Sequence, residues 1–287
     1  MRRFLVSALL LAVFALGTLV FASARLCSAV LRVPHENVRA EPPRPDWSSV
    51  TLTASDGVEL RAWLARPKEP AQNCVALLHG INDTTGMVRF APMFLDNGYT
   101  VLLPDSRGHG RSGGSMVTYG VLEKYDVVGW IQVLRQNGCE KIYGLGESLG
   151  AATLIQTSAI TNDFRAIVAE GSFADLKSVG EHRVGKMFHS QAAGKLFVAS
   201  ASVYSRAVYH LDLAQASPLE SIRSSTTPIL LIHGLADDQT PPENSKALAL
   251  ANSRAQLWLV PGAFHVGAYS ARPAEFRARV LAWFAQH

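Results

Sequence analysis

Five residues carry the clearest chemical signal in this sequence: Gly146-Glu147-Ser148-Leu149-Gly150. They follow an apolar run at 141–145 and precede a small, helix-forming run at 151–155. Strand, sharp turn and helix is the setting in which a G-x-S-x-G serine is pushed out as a nucleophile. The chemistry explains the glycines. A serine on so tight a turn has strained backbone angles, and the positions two before and two after it have no room for side chains. The helix that follows points N–H groups and its positive dipole end at the reacting centre. Alone, the motif also fits an ordinary strand–helix turn, so its partners decide.

Two partners arrive later. The run at 228–232 ends in His233-Gly234-Leu235-Ala236-Asp237-Asp238, and an acid in a turn at a strand end is well placed to orient a histidine. Asp237 is the candidate and Asp238 the near alternative; Pro241-Pro242 then open the next helix. The run at 257–260 ends in Pro261-Gly262-Ala263-Phe264-His265-Val266-Gly267. His265, on a glycine-flanked loop, can swing over the serine as general base. The order Ser148, Asp237, His265 is that of one hydrolase class and differs from the chymotrypsin and subtilisin orders. Acyl transfer also needs two oxyanion donors: the N–H of Leu149 and one from the loop after an earlier strand. The run at 74–78 ends in His79-Gly80-Ile81-Asn82-Asp83, which makes Ile81 the second donor and His79 a structural histidine.

The glycine-rich stretch Asp105-Ser106-Arg107-Gly108-His109-Gly110-Arg111-Ser112-Gly113-Gly114 resembles a phosphate loop only in its glycines. No Lys-Ser/Thr pair follows and no helix opens there. It reads as a tight loop held by contacts of Asp105 and Arg107, with His109 a second candidate for site chemistry.

These residues must be carried on strand ends. The stretches around Ser55-Asp56-Gly57 alternate in polarity, which predicts a hairpin. Continuous apolar runs then recur at 74–78, 100–103, 142–145, 166–169, 229–232 and 257–260, separated by helical patterns. Such runs belong to a parallel sheet buried on both faces. Two antiparallel strands and about six parallel ones are expected. Between Gly171 and Thr227 there is more chain than a crossover needs, with a helical piece at 195–210. Residues 172–226 read either as a cap over the strand ends, where open α/β sheets bind ligands, or as a plain pair of helices.

The N-terminus differs in kind. After Met1-Arg2-Arg3, residues 4–24 carry no charge. The stretch reaches the roughly 20 residues of a spanning helix, and Ala22-Ser23-Ala24 resembles a cleavage site. Residues 1–24 are therefore a signal anchor or a signal peptide. Cys27 follows Arg25-Leu26, a poor lipoprotein box, and the arginine pair lacks twin-arginine spacing. Residues 25–48, with Pro34, Pro42, Pro43 and Pro45, are expected to form a linker. Residues 49–287 form the main domain. Six of the 27 basic and three of the 23 acidic side chains lie before residue 49, leaving 21 against 20 in the body. No basic stripe points to nucleic acid. Three cysteines are too few for a zinc cluster or a disulfide scaffold, and Cys74 and Cys139 read first as buried small hydrophobes.

From about Val50 onward the chain resembles the α/β-hydrolase superfamily. The resemblance rests on His79-Gly80, the 105–110 loop, the 146–150 elbow, His233-Gly234-Leu235-Ala236-Asp237 and the 262–265 loop, all in order. Tyr119-Gly120-Val121-Leu122-Glu123-Lys124-Tyr125-Asp126 and Glu170-Gly171-Ser172-Phe173-Ala174-Asp175-Leu176 are similar to the bacterial serine-hydrolase branch around Bem46-like and serine-aminopeptidase-like proteins. The resemblance implies an α/β-hydrolase fold of about eight strands with helices on both faces and a helical cap. It implies a serine hydrolase acting on carboxylic esters, without metal or organic cofactor. Small-molecule amides handled by an exopeptidase are the alternative, with Glu147 a conceivable amine contact or simply a turn residue. A non-catalytic membrane-tethered binding module is the alternative from another class. The family's strand order would also place Cys74 and Cys139 at the start of neighbouring strands, where a disulfide can form outside the cytoplasm.

Overall fold

The alternating stretches around Asp56-Gly57 form a hairpin, as their pattern predicts. In the computed structural model, which describes residues 2–32, 42–81 and 83–287, strands β1 (Ser48–Thr53) and β2 (Glu59–Ala65) pair antiparallel. Gly57 sits at the turn with φ +83°, a conformation open to glycine. Ahead of this hairpin runs a single helix, α1 (Arg2–Leu31). The linker expected at 25–48 begins later than its sequence suggests. Residues 25–31 continue α1, because Cys27 and Leu31 find buried apolar partners in Val121, Leu211 and Ala216. Residues 33–41 of that linker, Pro34 among them, lie outside the described residues.

The chain then alternates. β3 (Asn73–Leu78), α2 (Ala91–Leu95), β4 (Tyr99–Pro104), α3 (Glu123–Gln136), β5 (Lys141–Glu147), α4 (Leu149–Thr157) and β6 (Phe164–Glu170) form its first half. Next come α5 (Leu176–Met187), α6 (Gln191–Tyr209) and α7 (Pro218–Ser224). The chain closes with β7 (Ile229–Gly234), α8 (Glu243–Ala251), β8 (Ala255–Val260), α9 (Ala268–Ala271) and α10 (Pro273–Gln286).

The eight strands make one sheet in the order β1-β2-β4-β3-β5-β6-β7-β8. β2 is antiparallel to both neighbours, and β4 through β8 are parallel. Each apolar run became a parallel strand because each is covered twice. One face packs on α2, the 3-10 turn just before it and α10 through Phe90, Phe94, Phe276 and Phe284. The other packs on α3 and α4 through Trp130, Ile131, Leu154 and Ile155. This is the α/β-hydrolase fold. Cys74 and Cys139 are joined in a disulfide, with Cα atoms 5.8 Å apart. Asn73 and Lys141 are register partners on β3 and β5, which brings the two cysteines together at the start of those strands.

Candidate active site

Parallel strands put all their C-terminal ends on one edge, and loops leaving that edge converge. Ser148 lies between β5 and α4 with φ +51° and ψ −109°. A non-glycine residue there is strained. The two flanking glycines permit it. An added Cβ at Gly146 would lie 2.5 Å from the Gly150 carbonyl carbon, and one at Gly150 would strike the Leu78 carbonyl. The Ser148 N–H donates to the Glu170 carbonyl at 2.8 Å, tying the elbow to β6.

Asp237 follows β7 and His265 follows β8. Ser148 Oγ is 2.9 Å from His265 Nε2. His265 Nδ1 is 2.6 Å from Asp237 Oδ2. With the carboxylate on Nδ1, that nitrogen carries the proton and Nε2 accepts from the serine hydroxyl. Asp237 Oδ1 takes two backbone N–H bonds, from Gln239 at 3.0 Å and Thr240 at 2.8 Å. Burial pushes the Asp237 carboxyl up, but hydrogen bonds from His233 and His265 outweigh it and hold it well below the usual range. Asp238 points away; it is 76% exposed and 3.6 Å from Lys186. The two adjacent acids are thereby separated.

Three further groups hold these residues. His233 is fully buried; its Nε2 lies 2.7 Å from the Thr240 carbonyl and 3.2 Å from Asp237 Oδ2. Its Nδ1 is 2.6 Å from Ser245 Oγ, so the ring bridges β7 and α8 behind the acid. Glu170 Oε1 accepts from the Ala268 N–H at 2.8 Å, anchoring the chain just past His265. Gly171, with φ +65°, lies under the histidine; an added Cβ would be 3.4 Å from the ring and 3.1 Å from Val266. All three stood inside quoted motifs, but their roles depend on neighbouring strands and had no local signal.

Ile81 and Leu149 line the same cavity beside Ser148. Asn82, next to Ile81, lies outside the described residues. His79 is buried, accepts from the Ser106 N–H at 3.0 Å and so donates from Nδ1 to the Gly80 carbonyl at 2.7 Å. It fixes the loop that carries Ile81. His109 is buried with its ring edge-on to His79, away from the cavity lining. Arg107 forks onto Asp126 at 2.6 and 2.7 Å and reaches Asp56 at 2.7 Å. Asp105 instead receives Arg111. The glycine loop is thus held by both residues, each through a different partner. Glu147 is buried and paired with Arg89.

The cavity measures about 570 Å³, within the roughly 300–1,000 Å³ of small-molecule sites. Its far walls come from α5 and α6, with Leu176, Val179, Val184 and Val198 facing in. Among the described residues no cluster of His, Cys, Asp and Glu could hold a metal.

A model of the prolyl oligopeptidase family matches residues 87–287, taking in the elbow and both partner loops. The chain belongs to the prolyl oligopeptidase family. Proteins similar to it include the uncharacterized protein YfhR of Escherichia coli K12, 27% identical over 79% of this chain and 78% of its own length. YqkD of Bacillus subtilis is 26% identical over 70% of this chain and 67% of its own. Among solved structures, the esterase Pf2001 of Pyrococcus furiosus superposes with a TM-score of 0.73 at 23% identity, covering 89% of this chain and 98% of that one. A puromycin-hydrolyzing peptidase of Mycobacterium tuberculosis superposes at 0.67 with 20% identity, covering 86% of this chain and 40% of that one. Fold and family together make this prolyl-oligopeptidase-family chain a hydrolase of the α/β class.

Proposed function

We propose that the chain is a membrane-tethered serine hydrolase that cleaves carboxylic esters through an acyl-enzyme on Ser148. The observation carrying this reading is the hydrogen-bonded relay of Ser148, His265 and Asp237. Ser148 Oγ attacks the ester carbonyl carbon and passes its proton to His265 Nε2. Asp237 holds the imidazole tautomer and stabilises the imidazolium. The N–H groups of Ile81 and Leu149 receive the oxyanion, each worth about 2.7–4 kcal/mol of barrier. The carbon–oxygen bond to the alcohol breaks, and the alcohol leaves with the proton from His265. Water then attacks the acyl-enzyme by the same relay, releasing the acid and restoring the serine. Residues 172–226 act as a cap that shields this chemistry from solvent.

An ester preference is favoured by the apolar lining and by the acids near it. Glu147 is committed to Arg89, and Asp83 Oδ1 to the N–H groups of Thr85 and Gly86. Glu147 is therefore not free to hold a substrate ammonium group, and Asp83 is tied to its own loop. A peptidase reading is favoured by the family match, and paired assays on acyl esters and aminoacyl amides separate the two. α1 is long and apolar enough to cross a membrane. Its leading arginines favour a cytoplasmic N-terminus, and the Cys74–Cys139 disulfide favours a body outside the cytoplasm.

A fluorophosphonate probe tests the reading. Wild type is expected to be labelled and Ser148→Ala to be unlabelled while still folded. A folded, unlabelled wild type overturns it.

A further inference from the structure

The N-terminal helix changes character along its length. Phe4, Leu9, Leu10, Phe14 and Phe21 are 64–86% exposed, the surface of a helix meant for lipid. From Ser23 onward the same helix belongs to the body. Ser23, Cys27 and Leu31 are buried at a four-residue spacing, which puts them on one face. Hydrogen bonds fix that end: Val117 N–H to the Leu31 carbonyl at 2.8 Å, Tyr119 Oη to the Val30 carbonyl at 3.0 Å, and Ser28 Oγ with Tyr209 Oη at 2.9 Å. The adjacent face, Leu26 and Val30, lines the cavity that holds Ser148 and His265. A helix apolar enough to span a bilayer therefore forms a wall of the site.

At 1.5 Å of rise per residue, Leu26 lies about 8 Å along the axis from Phe21. That is about the thickness of one headgroup layer. With residues 4–21 in the hydrocarbon, the cavity wall begins at headgroup depth. Met187 lines the cavity and is 61% exposed, so the cavity reaches the surface. Phe188, just past the end of α5, and Leu196 on α6 are exposed as well.

We propose that the site takes an ester lipid from the bilayer in which α1 sits, with its acyl chain lying along Leu26 and Val30. This rests on the serine-hydrolase reading and names its substrate class. An acyl chain passing from the bilayer into an apolar cavity at its surface never has to cross water. A free-standing body would meet the cost of hydrating that chain. The reaction is the same hydrolysis: Ser148 takes the acyl group, the lipid alcohol leaves with a proton, and water frees the fatty acid.

The test uses the full chain in phosphatidylcholine vesicles. Leu26→Trp and Val30→Trp are compared with wild type on p-nitrophenyl laurate and acetate. The ratio of the two kcat/KM values does not depend on how much of a variant is folded. It is expected to fall at least tenfold in both variants. A non-exchanging fluorogenic long-chain ester is then placed either in the same vesicles as the protein or in separate ones. Hydrolysis is expected to be at least tenfold faster in the same vesicles. An unchanged laurate-to-acetate ratio, or equal rates in the two vesicle arrangements, overturns the proposal while leaving the hydrolase reading intact. A wild type inactive on acetate and laurate alike overturns both.

Discussion

Glu147 and Glu170 are register partners at the C-terminal ends of β5 and β6, and they are 2% and 1% exposed. Two buried carboxylates so placed need more than one cation. Arg89 pairs with Glu147. Glu170 Oε1 accepts from the Ala268 N–H, and its Oε2 has no hydrogen-bond partner. Burial, then the charge of Glu147, raises the Glu170 carboxyl above its ordinary range. Burial raises Glu147 too, against the pull of Arg89. We assign the proton of the pair to Glu170, which has no cation of its own. This protonated acid sits between the elbow, through its backbone carbonyl, and the histidine loop, through its side chain.

The pair makes stability pH-dependent with a definite sign. An unfolded glutamate loses its proton near pH 4.3. The folded state keeps one longer, so it binds more protons than the unfolded state above that pH. Stability therefore falls as pH rises from about 4.3 through the raised folded value. Thermal melts between pH 5 and 9 are expected to show a declining Tm in wild type. Glu170→Gln keeps an acceptor for Ala268 and cannot ionise, so its Tm is expected to decline less steeply. An equal slope in both proteins removes Glu170 from this role.

Asp237 and Asp238 offer an internal control. Asp237 faces His265 at 2.6 Å, and Asp238 is at the surface. Asp237→Asn turns an acceptor for Nδ1–H into a mixed donor and acceptor, which favours the wrong imidazole tautomer. A loss in kcat of about 10⁴-fold is expected on the precedent of serine triads. Asp238→Asn is expected to stay within about twofold, since a surface pair with Lys186 contributes little. Steady-state kinetics on any cleaved ester check both.

Gly171→Ala probes the histidine from below. The substitution asks a non-glycine residue to hold φ +65° and sets a methyl group 3.1 Å from Val266 and 3.4 Å from the His265 ring. The backbone conformation alone costs about 1–2 kcal/mol. A loss of that order is expected in denaturant melts. A tenfold or greater fall in kcat with a smaller change in KM is expected as the ring moves off Ser148 Oγ.

What could be read from the sequence divides along physical lines. The elbow was legible because its serine and glycines form one five-residue pattern; the collision that requires Gly146 is with Gly150 inside that pattern, whereas the one that requires Gly150 is with the Leu78 carbonyl of β3. The parallel strands were legible because burial on both faces leaves continuous apolar runs. Asp237 stood out by its place at a strand end, although separating it from Asp238 needed the turn geometry. His233, Glu170 and Gly171 act across strand neighbours, and nothing in a local pattern encodes a neighbour's register. The end of α1 was hardest. Cys27 and Leu31 look like the tail of an apolar segment until Val121 and Leu211, far along the chain, are seen to cover them.

The Cys74–Cys139 disulfide joins the starts of β3 and β5 across a separation of 65 residues. Closing a loop of that length in the unfolded chain corresponds to about 4 kcal/mol of stabilisation on the chain-entropy estimate. The double variant Cys74→Ala/Cys139→Ala removes the crosslink and both buried sulfur atoms. It is expected to be less stable by about 2–5 kcal/mol, read as a lower denaturant midpoint. Wild type unfolded in reductant is expected to shift the same way, and the double variant not to respond to reductant at all. Cys27, buried between α1 and the body, remains in both proteins. Thiol titration is therefore expected to find one reactive group per unfolded, unreduced wild-type chain and three after reduction. Three before reduction would mean that the two strands are not crosslinked.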